Sequence, residues 1–177
     1  MLIKLKKIKT DYPYKGKILS LRVDEVLLPN GGESRREIVE HGGVVAIVPF
    51  VNESRIVLIR QYRHAIEETI LEIPAGLLEP GEDIYKCAAR ELTEETGFRA
   101  AKLEKLTEYY PAPEFSNQMT YIFKATCLEQ VGAKLDEDEY LEVVTMDLDE
   151  IIKLIAEDRI KDSKTIIGLL FAKKGAR

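Results

Sequence analysis

Apolar and polar residues alternate in "KILSLRVDEVLL" (17–28), a period of two that predicts a strand, and the turn-forming "PNGGES" joins it to "RREIVEH" as a hairpin. "GGVVAIVPF" and "RIVLIRQYRHA", separated by "VNES", predict a second antiparallel pair, and a strand-like "TILEIPAG" leads into the loop "LLEPGE". From Asp83 to Thr96 the periodicity becomes helical, with Gly97 placed as the C-terminal cap. "KLEKLTEYYPA" and "QMTYIFKATCLE" read as strands around the turn "PAPEFSN", and "LEVVTM" as another after the acidic "DEDEY". Two helices close the chain, "DEIIKLIAEDRI" and "SKTIIGLLFAKK", the second capped by Asp162 or Ser163. There is no internal repeat, low-complexity tract or linker, and the order of elements predicts an α+β or mixed α/β fold.

At 177 residues the chain holds one well-buried core and one main domain. Apolar residues at 45% and charged residues at 32% belong to a soluble globular protein. No apolar run approaches the roughly 20 residues that span a bilayer, and "MLIKLKKIKT" is too charged for a signal peptide, so a cytoplasmic protein with no membrane partner is expected. A net charge of -5 offers no broad footprint for DNA or RNA, which excludes nucleic acid as the expected partner. A phosphate-bearing substrate must have its charge handled locally. Cys87 and Cys127 form no metal or disulfide spacing and read as packing residues. His41 and His64 likewise lack ligand spacing.

The helix carries the chemistry. At about 100° per residue, Ala88, Leu92, Tyr85 and Ala89 share the arc expected to face a core, while Glu91 and Glu95 share the adjoining edge with Glu94 beside them. Like charges at this spacing cost an isolated helix a few tenths of a kcal/mol, and no lysine on that face relieves them. Either the face is simply solvated, or it holds a divalent cation, for which Mg2+ wants hard oxygen ligands. Glu82 would add a fourth carboxylate and Arg90 would hold its acidic neighbours by bidentate hydrogen bonds. On the strand around residues 60–63, Arg60 and Arg63 flank Gln61 and Tyr62, and both are expected on one face, either as half-exposed strand charges or as phosphate or ribose contacts.

The stretch "GLLEPGEDIYKCAARELTEETGF" carries Gly76, Glu82, Arg90-Glu91, Leu92, Glu94-Glu95, Gly97 and Phe98 at fixed spacing, and it resembles the Nudix box at every fixed position. Phe98 stands where an aliphatic residue is commoner. The resemblance implies an α/β/α sandwich and Mg2+- or Mn2+-dependent hydrolysis of a nucleoside diphosphate linked to another moiety. Glu91 and Glu95 would be the main metal ligands, Ala75 a ligand through its carbonyl, Glu94 a further ligand or water contact, and Arg90 the orienting residue. "RREIVEHGG", "LEIPAG" and Pro113 extend the likeness to the ADP-ribose pyrophosphatase branch. That branch implies a homodimer in which residues 1–40 form a swapped sheet ahead of a hydrolase domain at 41–177. Arg35 and Arg36 would reach the ligand from the partner, with Glu40, Arg63, Leu77, Pro113 and Gln118 as further substrate contacts. In "LDEDEYLEV", the resemblance gives Glu137 the role of base and Glu139 a metal contact, and the two can exchange roles. "APEFSNQ" departs from the branch, with Glu114 where glycine is usual and Gln118 in place of an acid. It keeps open a different nucleoside diphosphate substrate, such as a nucleotide sugar, NADH or FAD. A nucleotide-sensing module without catalysis is the other rival.

Overall fold

The computed structural model describes residues 4–133 and 140–174, which form two compact units. The first comprises residues 4–43 and 110–119. Its strands β1 (Lys6–Lys15), β2 (Leu19–Leu27) and β3 (Glu33–His41) form one antiparallel sheet in that order. The β2–β3 hairpin pairs Leu27 with Glu33 around Gly31, whose φ of 82° suits a residue without a Cβ. β1 escapes the period-two reading because nearly all of it is exposed, so neither face needed an apolar row. The segment 110–119 joins this unit through long-range bonds. The Val39 N–H donates to the Phe115 carbonyl at 2.7 Å, and the His41 N–H donates to Asn117 Oδ1 at 3.0 Å.

The second unit comprises residues 44–109 and the described residues from 120 onward. One of its sheets runs β7 (Ala75–Leu77), β4 (Val44–Pro49), β9 (Thr120–Gln130), β8 (Phe98–Tyr109); the other runs β10 (Leu141–Asp147), β5 (Arg55–Arg63), β6 (Glu68–Glu72). Helix α1 (Ile84–Thr96) covers one face of the four-stranded sheet, where Cys87, Ala88 and Leu92 pack on Val45, Ile47 and Phe123. The opposite face packs Ala46, Val48 and Ile122 against α2 (Leu148–Ala156) and α3 (Ser163–Lys174). Fully burying each such aliphatic or aromatic side chain is worth roughly 1.5–3 kcal/mol. Gly168 lets α3 approach closely, since a Cβ there would lie 3.0 Å from Val48 Cγ2. The class is the mixed α+β expected.

Two local expectations fail. β4 and β5 are not a hairpin pair but lie in different sheets, with the isolated Phe50–Ile56 bridge at the turn between them. β4 is buried on both faces between helices, so its edges go to β7 and, in parallel, to β9 instead of to its neighbour in sequence. On α1, Tyr85 and Ala89 are exposed, whereas Cys87, Glu91 and Glu95 are buried. The covered arc is therefore rotated from the purely apolar one toward the acids. For α3 the cap is Asp162, whose Oδ2 accepts from the Thr165 N–H at 2.9 Å.

Candidate active site

Short-range chemistry sets both ends of α1. Asp83 caps its start by accepting from the N–H groups of Tyr85 and Lys86, at 3.0 and 3.2 Å. Gly97 ends it in the left-handed conformation, φ 72°, with its N–H on the Thr93 carbonyl. Between the caps, Glu91 and Glu95 are only 8% and 2% exposed. β7 supplies the surface they lie on. A Cβ at position 76 would sit 1.9 Å from Glu91 Cδ, so only glycine leaves room for that carboxylate. Next to it the Ala75 N–H donates to Glu95 Oε2 at 2.8 Å. β7 and α1 thus hold two carboxylates against the backbone of residues 75–76.

Arg90 organises the acids around it. Its Nε and Nη2 bond the two Glu82 oxygens at 3.0 and 2.9 Å, and its Nη1 bonds Glu91 Oε1 at 2.6 Å and Glu94 Oε2 at 3.1 Å. Nη2 also donates to the Leu77 carbonyl at 3.1 Å. The Arg90 bonds hold the Glu82 carboxyl down at about 2, and the same bonds raise the guanidinium above its ordinary range. Burial pushes the Cys87 thiol up to about 12, with the charge of Glu82 adding to it, so Cys87 is an inert packing residue.

The donor set suits a divalent cation: carboxylates are hard ligands, two are buried, and a single guanidinium faces Glu82, Glu91 and Glu94. Among the described residues no three acid, histidine or cysteine side chains close into a complete cage. Mg2+ does not require one, because it commonly takes one or two carboxylates and completes its shell with water and substrate phosphate.

A second charged cluster lies at the junction of β5, β6 and α3. Glu72 is fully buried; its Oε1 accepts from Arg63 Nε at 2.7 Å and its Oε2 pairs with Lys164 Nζ. Burial pulls the Arg63 guanidinium down, but the bond and charge of Glu72 and the charge of Glu95 outweigh it and leave it raised. Arg60 is not on the same face as Arg63. Positions three apart on a strand point to opposite sides, and Arg60 pairs instead with Glu142 on β10 at 2.5 Å. Nothing in the sequence marked Lys164, and Glu72 had one sign, a charge inside the otherwise apolar run "ILEIPAG".

The remaining expected contacts fall in the first unit. Arg35 is exposed and pairs loosely with Glu25 at 3.5 Å, Arg36 bonds Ser34 Oγ at 2.6 Å, and Glu40 pairs with Arg22. Pro113 is exposed, and Gln118 donates its N–H to Ser116 Oγ at 3.2 Å. Glu114 is not among the residues with positive φ, so its replacement of glycine strains nothing. Glu137 and Glu139 lie outside the described residues.

Comparison with known proteins agrees with this geometry. Residues 40–167 match the NUDIX domain, and residues 6–39 match the nucleoside diphosphate sugar hydrolase N-terminal domain. The chain is 43% identical to the methanol dehydrogenase activator of Bacillus methanolicus over 96% of its length and 93% of the relative's. It is 41% identical to an ADP-ribose pyrophosphatase of Bacillus subtilis over 94% of its length and 91% of the relative's. A crystal structure of an ADP compounds hydrolase superposes with a TM-score of 0.88 at 26% identity, covering 99% of this chain and 95% of the other. The glycine-cradled carboxylates, the arginine that gathers them and these similarities have one reading: the chain belongs to the Nudix hydrolase family.

Proposed function

We propose that this Nudix hydrolase cleaves the pyrophosphate bond of ADP-ribose, giving AMP and ribose 5-phosphate, as a cytoplasmic homodimer that uses Mg2+ or Mn2+. The observation that carries the reading is the pair of buried carboxylates, Glu91 and Glu95, held at the backbone of Gly76 and Ala75. The 41% identity to an ADP-ribose pyrophosphatase directs the choice of substrate. Glu91, Glu95 and the Ala75 carbonyl would hold the ion, with Glu139 as a metal contact and Glu94 as a further ligand or water contact. When bound, the ion supplies positive charge to the diphosphate and to the charge that develops during transfer.

The chain's own groups do the rest. Arg90 orients Glu91 and Glu94, and its bonds keep Glu82 ionised. Glu137 takes a proton from the attacking water as the new phosphorus–oxygen bond forms and the bridging bond breaks. Arg63 and Leu77 bind the diphosphate side, while Arg35, Arg36, Glu40, Pro113 and Gln118 bind the remainder, the arginines from the partner's swapped residues 1–40. Incubation with ADP-ribose and Mg2+ should release AMP and ribose 5-phosphate; absence of turnover with either divalent ion would overturn the proposal. Two observations favour a second substrate class. The N-terminal residues match a nucleoside diphosphate sugar hydrolase domain, and "APEFSNQ" departs from the ADP-ribose pattern. A panel of ADP-ribose, nucleotide sugars, NADH and FAD ranked by kcat/KM separates the two.

A further inference from the structure

Glu72 is an expensive residue for its position. Its side chain is fully buried at the end of a strand, where an apolar residue of similar volume would avoid the desolvation of a carboxylate. It is not the sole fastening of this edge to α3, because a further bond beside its own pairing with Lys164 makes that connection. The Ile73 N–H donates to Thr165 Oγ1 at 2.9 Å, and the Thr165 hydroxyl donates to Asp162 Oδ2 at 2.5 Å. Neither bond involves Glu72. What Glu72 adds is a charged acceptor for Arg63, bonded through Nε at 2.7 Å, which leaves the two Nη groups outside that bond. Lys164 neutralises the second oxygen and is itself steadied by Asp162 at 3.0 Å. Within this network Arg63 is the member that reaches solvent, its side chain 38% exposed against 15% for Lys164 and 14% for Asp162. It also feels the charge of Glu95 on α1.

We propose that Glu72, balanced by Lys164, is a positioning residue that fixes the orientation of the Arg63 guanidinium, so that its Nη groups meet the phosphate oxygens of a nucleoside diphosphate. The inference rests on the reading that Arg63 touches substrate. A planar guanidinium bonds phosphate well only when its orientation is set in advance, and a buried carboxylate on Nε sets it.

Steady-state kinetics with ADP-ribose and Mg2+ on the full chain test this. Arg63→Ala should raise KM on the order of tenfold, as expected for loss of a charge-assisted bond. Glu72→Gln should raise KM by a comparable factor while kcat stays within about threefold, and adding it to Arg63→Ala should change nothing further. The paired Glu72→Met with Lys164→Met removes the buried carboxylate and its partner charge together. It should fold at least as well as the wild type yet keep the raised KM, a combination that a merely structural role would not give. A wild-type KM in the methionine pair, or KM effects of Glu72→Gln and Arg63→Ala that multiply, overturns the inference. An unchanged KM in Arg63→Ala instead sinks the parent reading, and the positioning role with it.

Discussion

Arg90 and Glu72 are the centres of two charge clusters in the same unit, with the signs reversed. Around Arg90 one guanidinium bonds Glu82, Glu91 and Glu94, while Glu95 lies buried one helical turn beyond Glu91. Around Glu72 one carboxylate is shared by Arg63 and Lys164, and Asp162 brings the count of charges to balance. The first cluster gathers three carboxylates on one guanidinium, whereas the second sets two carboxylates against two cations. Carboxylates gathered in this way are the hard oxygen ligands that the proposed divalent cation would need. Balance at Glu72 marks a place where geometry is held without inviting an ion. The first cluster draws on residues 82–95 at a spacing that can be recognised, whereas in the second Lys164 reaches Glu72 from 92 positions along the chain.

The contrast can be broken most forcefully at the first cluster. Glu95→Gln should lower kcat by roughly 10³-fold, several kcal/mol of transition-state stabilisation, and activity within tenfold of the wild type would remove Glu95 from the metal-holding role. Close behind, Gly76→Ala forces a Cβ to within 1.9 Å of Glu91 Cδ. Displacing that carboxylate should cut kcat about 10²-fold and cost about 1–3 kcal/mol of stability, measurable by turnover and denaturant unfolding.

Arg90→Met tests the balance by pH. The Arg90 bonds lower the Glu82 carboxyl from 4.5 to about 2. A folded-state value below the unfolded one contributes stability that is present above pH 4.5 and lost as pH falls toward 2. Melting curves between these limits should therefore fall more steeply in the wild type than in Arg90→Met; parallel curves would deny the linkage. The smallest effects belong to the first unit and to the thiol. Arg35→Ala and Arg36→Ala should change unfolding free energy by less than about 0.5 kcal/mol, because these exposed side chains bury nothing, while raising KM. A monomer by gel filtration would exclude their action from a partner. Cys87, held up at about 12, should resist alkylation at neutral pH until the chain unfolds, and Cys127, which is exposed, should react first.

Much of the fold was legible because its signals are local. The cap at Gly97, the β2–β3 hairpin and the two terminal helices all rest on groups a few residues apart, and the structure keeps them. The acidic helix was legible too, but its burial was not. Apolar periodicity aimed Tyr85 and Ala89 at the core, whereas the helix turns Glu91 and Glu95 inward because Gly76 and the Ala75 N–H receive them from another strand.

By itself the sequence determined the box spacing, the element types and the gathering of acids on one helix, since each depends on a repeat of 3.6 or 2.0 residues and on short-range caps. Tertiary structure alone decided that β4 and β5 part into separate sheets and that residues 110–119 pair with β3. It also decided that Glu72 lies buried between Arg63 and Lys164. These are choices among partners distant along the chain, made by which faces must be covered and which buried charges must be matched, and no local periodicity encodes them.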